Sequence, residues 1–76
     1  MDDATQWERV GKDYATRVPQ GVITVARYTS APEGVTVVEW MAYLDQNDGG
    51  VRVLTSKSTL ELAQEYALYN AAKLGV

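Results

Sequence analysis

The chain has 76 residues, a formal net charge of −3, and neither His nor Cys. That length allows one domain, and the missing residues exclude a Ser–His–Asp triad, a cysteine nucleophile, a disulfide framework and a zinc site of the usual nitrogen and sulfur ligands. The acidity argues against a general affinity for nucleic-acid phosphates or anionic membranes, and a hydrophobic fraction of 46% is too high for disorder.

No signal-like apolar run follows Met1-Asp2-Asp3, and no stretch approaches the roughly 20 apolar residues of a membrane span. An intracellular, cytoplasmic protein is expected. Trp7, Val10, Tyr14 and Val18 recur at offsets of 0, 3, 7 and 11. This spacing predicts a short helix from Asp3 to about Arg17, capped by Asp2 or Asp3 and stopped by Pro19 and Gly21. Gly11 weakens it by roughly 1 kcal/mol relative to Ala.

Val22–Thr29 is rich in β-branched residues and reads as a strand. Ser30-Ala31-Pro32-Glu33-Gly34 turns the chain, and Val35–Leu44 is the strongest strand pattern. Asp45–Gly50 is a polar hairpin loop before a short strand, Val51–Thr55. Ser58-Thr59-Leu60-Glu61 has the form of a capping box. Leu60, Ala63, Ala67, Ala71 and Leu74 then form a helical stripe, with Gly75 at the C-cap position. The expected fold is α+β, in the order helix, three antiparallel strands, helix, with the last helix packed on one sheet face.

Signals for chemistry are weak. Ser56-Lys57-Ser58 is better explained by the start of a helix than as a Ser–Lys catalytic pair. Asp45, Asn47 and Asp48 suggest a calcium loop, but position 5 of such a loop would be Gly49 and position 12 Ser56. Glu61 and Glu65 fall in the first two helical turns, where the helix dipole favours anions. No metal, cofactor or catalytic residue is expected, and the chain is read as a non-enzyme.

The element order, with the alanine-rich last segment TSKSTLELAQEYALYNAAKLG, resembles the double-stranded-RNA-binding domain. The resemblance implies that a basic cluster opening the last helix contacts phosphates. The matching stretch here, Ser56-Lys57-Ser58, has one lysine and is followed by Glu61 and Glu65. The loop that carries a characteristic His in that family reads Ala31-Pro32-Glu33-Gly34. These departures remove phosphate contacts, so binding of nucleic acid is not expected.

Two sets of apolar residues remain once one core is built. On the last helix, Leu62, Tyr66 and Tyr69 lie away from the alanine stripe. On the middle strand, Val38, Trp40, Ala42 and Leu44 share one face, taken as the core face with Trp40 at its centre. Val35, Val37, Glu39, Met41 and Tyr43 share the other, with Glu39 placed to meet Arg27 or Arg52. Leu62, Tyr66, Tyr69, Met41 and Tyr43 are the expected partner-binding residues, unless the N-terminal helix covers them. The expected function is a stand-alone protein-interaction module, binding a protein partner or a second copy of itself; the alternative is a degenerate double-stranded-RNA-binding-like module. In size, acidity and lack of motifs the chain resembles phage-encoded inhibitors, anti-CRISPR proteins among them. That resemblance implies that it masks a basic surface on its target.

Overall fold

The computed structural model describes residues 7–74. The expected N-terminal helix is replaced by two strands, β1 (Glu8–Val10) and β2 (Asp13–Val18). Three further strands follow, β3 (Gly21–Ser30), β4 (Val37–Gln46) and β5 (Val51–Lys57), and one helix, α1 (Leu60–Leu74). A single 3₁₀ turn, Pro32–Gly34, joins β3 to β4. The strands form one antiparallel sheet in the order β1-β2-β3-β4-β5. The α+β class holds, but the sheet has five strands and not three. The element order that carried the resemblance to the double-stranded-RNA-binding domain is therefore not this protein's.

Two patterns competed over the N-terminal segment. The spacing of Trp7, Val10, Tyr14 and Val18 suits a helix, whereas Tyr14, Thr16 and Val18 also alternate as a strand does. Gly11 decides between them. It sits at φ 63° in the two-residue turn between β1 and β2, the first-position positive φ of a type II′ hairpin. Pro19 and Gln20 make the next turn, so the residues expected to end a helix reverse a strand instead. Gly21 is required by close approach: a Cβ there would collide with the Asp45 carbonyl. The expected caps Asp2 and Asp3 lie outside the described residues, as does Gly75.

The later elements match their sequence patterns within two or three residues. The helix cap is Thr59, not Ser58: the Leu62 amide donates to Thr59 Oγ1 at 3.2 Å. Within the loop between β4 and β5, Asp48 Oδ1 accepts from the Gly50 amide, and Asn47 Nδ2 ties the loop to the β2–β3 turn by donating to the Pro19 carbonyl, each at 2.9 Å.

Helix α1 lies on one sheet face, against β3, β4 and β5. Ala63, Ala67 and Ala71 face the sheet and are buried beside Ile23, Val25, Ala42 and Leu44. Three alanines at that spacing let the helix backbone approach the sheet closely, so a small core excludes water. Burying each of the larger side chains contributes about 1.5–3 kcal/mol. Leu60 is half-buried, and Leu74, at the far end of the stripe, is exposed. Trp40 is not the core centre. It is half-buried at the edge, and Val38 beside it is exposed. Gln20 Nε2 donates to the Ala71 carbonyl at 2.7 Å and Asn70 Nδ2 to the Leu54 carbonyl at 2.8 Å. These two bonds fix the end of the helix to the sheet.

Candidate functional site

Antiparallel pairing puts directly opposed residues on the same face, so the register assigns each paired strand residue to one side; a bulge in β5 leaves Leu54 unpaired. Facing the helix are Arg9, Tyr14, Thr16, Val18, Ile23, Val25, Arg27, Trp40, Ala42, Leu44, Arg52 and Lys57. All charged residues among these are cations.

The opposite face carries no helix. Three rows cross it. Thr24, Tyr43 and Val53 form the central row, flanked by Val22, Asp45 and Val51 on one side and by Ala26, Met41 and Ser56 on the other. Tyr28 opposite Glu39 continues the surface. Its charges are four carboxylates, Glu8, Asp13, Glu39 and Asp45, against one cation, Arg17. The open face is therefore an apolar centre with an acidic rim. Val51 and Val53 are more than 60% exposed and Tyr28 nearly half. Glu39 does not meet Arg27 or Arg52, because those residues lie on the other side. It stands opposite Tyr28 and accepts from Ser56 Oγ at 3.4 Å.

Tyr43 is half-buried at the centre of the open face. Burial holds its phenol above the ordinary tyrosine pKa, and Tyr28, Asp13 and Asp45 push it in the same direction. The hydroxyl is a neutral donor and acceptor across the physiological range. It supplies a polar handle inside an apolar patch.

The five expected partner-binding residues fall on two opposite surfaces. Met41 and Tyr43 lie on the open sheet face. Leu62, Tyr66 and Tyr69 are exposed on the outer side of α1, and no N-terminal helix among the described residues covers them. No flat partner surface can touch both sets. The helix tyrosines are each partly covered by a cation, Lys57 Nζ 4.2 Å from the Tyr66 ring centre and Lys73 Nζ 4.7 Å from that of Tyr69. The reading from sequence missed Val51, Val53 and Tyr28 as members of the open face. Strand alternation, carried across to the neighbouring strands, was the signal that could have found them.

Comparisons with protein-family models, with curated proteins and with solved structures find no match to this chain. Among the described residues, no helix is long and apolar enough to cross a membrane.

Proposed function

We propose that this chain is a non-catalytic binding module whose open sheet face docks on a protein with a basic surface. The observation that supports the reading is the composition of that face: Val22, Ala26, Met41, Tyr43, Val51 and Val53 are apolar, Asp45 stands between Val22 and Val51, and Glu8, Asp13, Glu39 and a single arginine lie around them. A sheet that faces water normally alternates to a polar side. This one leaves large apolar side chains there without any cover from its own chain among the described residues. Five strands about 4.8 Å apart, with ten-residue central strands, give the face an area on the order of 600 Å². That approaches the roughly 800 Å² per partner of ordinary stable interfaces. The carboxylate rim selects lysines and arginines on the partner and speeds encounter. Masking a basic, nucleic-acid-binding surface on a target is the kind of inhibition such a face suits.

The test is capture of a partner by three forms of the chain: wild type, Tyr43→Lys/Val53→Lys, and Tyr66→Ser/Tyr69→Ser. The first pair places two cations in the central row and should weaken capture of the partner at least about tenfold, as loss of a central interface anchor does. The second pair should leave it unchanged. The captured partner should present a basic patch, and the association should weaken as salt is raised. Undiminished binding by Tyr43→Lys/Val53→Lys, or binding lost only in Tyr66→Ser/Tyr69→Ser, would overturn the assignment.

A further inference from the structure

The helix does not cover the whole of its own sheet face. It packs on β3, β4 and β5, and among the described residues it leaves the part of the face toward β1 and β2 open. There a cavity of about 510 Å³ is lined by Arg9, Lys12, Asp13, Tyr14, Arg27, Thr29 and Trp40. Its floor is aromatic. The rings of Tyr14 and Trp40 come from strands on either side of β3 and meet above it, with centres 6.2 Å apart and planes tilted by 56°. Val25, buried beneath them, and Arg27, directly opposite Trp40, belong to that intervening strand.

Its rim is cationic. Arg9 stands opposite Tyr14 with its guanidinium carbon 5.8 Å from the ring centre, and its Nε donates to the Gly11 carbonyl at 3.1 Å. This leaves the rest of the guanidinium fork available. Lys12 sits at the tip of the β1–β2 turn, and Arg27 completes the set. None of the three pairs with a carboxylate among the described residues. Asp13 lines the cavity too, but strand alternation puts its side chain on the open face, where it acts on Tyr43. A chain of net charge −3 has gathered three of its seven cations in one place.

We infer that this cavity, formed by Tyr14 and Trp40 with Arg9, Lys12 and Arg27, binds a nucleoside monophosphate. The two rings offer π-faces for a planar base, and base–aromatic stacking tolerates any base identity. The cations match a phosphate dianion, which an arginine fork grips through two parallel hydrogen bonds. The Thr29 hydroxyl lies on the same wall and can bond the sugar. The volume falls within the range of small-ligand pockets. The site is separate from the open sheet face, being on the opposite side of the sheet.

The experiment titrates adenosine 5′-monophosphate, adenosine, ribose 5-phosphate and a six-nucleotide oligoadenylate into the full chain. Binding is read by Trp40 fluorescence in a Trp7→Phe background and by calorimetry. Adenosine 5′-monophosphate should bind and quench Trp40, with adenosine and ribose 5-phosphate at least about tenfold weaker, because each lacks one half of the recognition. Arg9→Glu/Arg27→Glu should weaken it at least about tenfold, since charge-assisted bonds become repulsion. Both positions are exposed, so an unchanged melting curve is expected alongside. A two-dimensional amide spectrum of the wild type should move the Trp40 indole and the Arg9, Tyr14 and Arg27 amides, and leave Tyr66 and Tyr69 still. Equal affinity for ribose 5-phosphate and adenosine 5′-monophosphate would overturn the inference. So would undiminished binding by the double variant, shifts elsewhere, or binding of the oligonucleotide alone.

Discussion

The two faces of the sheet are built from the same strands and have opposite characters. The helix side buries Ile23, Val25, Ala42 and Leu44 under three alanines, and its strand charges are all positive. The open side exposes Tyr28, Val51 and Val53 around a half-buried Tyr43, and its charges are mostly negative. Period-2 alternation sorts both hydrophobicity and charge, so one net value of −3 conceals a basic side and an acidic side. The comparison separates residues that hold the fold from residues that are free to bind. Residues of similar chemistry on the two sides should respond to mutation very differently.

The sharpest contrast is between Leu44 and Val53. Leu44 is fully buried, and Leu44→Ala should cost about 2–5 kcal/mol in a denaturant melt, a large share of a small domain's stability. Gly21→Ala should come next, at more than about 1 kcal/mol, because the added Cβ meets the Asp45 backbone and the residue keeps a φ of 153°. A melt within error of wild type would mean that β3 and the β4–β5 loop do not approach as described.

Tyr43 gives the open face a pH signature. Its phenol pKa is raised in the fold, mainly by burial. The folded state then holds the proton more tightly than the unfolded chain does. The resulting stability is fully present below the ordinary tyrosine pKa and is lost as pH rises from there through the folded value. Tyr43→Phe should remove that part of the alkaline slope, read as the difference between urea melts of the two forms across the alkaline range. The smallest effect belongs to Val53→Lys, at 62% exposure: within about 0.5 kcal/mol of wild type. A loss comparable to that of Leu44→Ala would erase the distinction between the faces.

Much of β3, β4, β5 and α1 was legible because each carries its own punctuation. β-Branched runs end at Pro32 and Gly34 or at Gly49 and Gly50, and the alanine stripe repeats with helical spacing. The division of β4 into two faces was legible for the same reason, and it placed Met41 and Tyr43 away from Ala42 and Leu44. The N-terminal hairpin was not. Its apolar residues satisfy helical and strand spacing together, and its turn, Gly11-Lys12, carries only the Gly-first signal of a type II′ hairpin and not the stronger Asn-Gly or Asp-Gly one. That error hid the cavity beside Trp40, since Arg9 and Tyr14 reach Arg27 and Trp40 only when Glu8–Val10 and Asp13–Val18 are strands. Pairing Glu39 with Arg27 failed by one residue of register, and one residue exchanges the faces.

The claim that most needs testing is that the open sheet face, and not the outer side of the helix, meets the partner. A photo-crosslinking residue placed at Tyr43 in one form of the chain and at Tyr69 in another tests it directly, in cells that carry the chain. The two positions lie on opposite sides of the molecule, so each form reports on one surface alone. An adduct to a single protein with a basic surface is expected from position 43, competed by the untagged wild-type chain, with none from position 69. A competed adduct from position 69 alone, or none from position 43, would contradict the account.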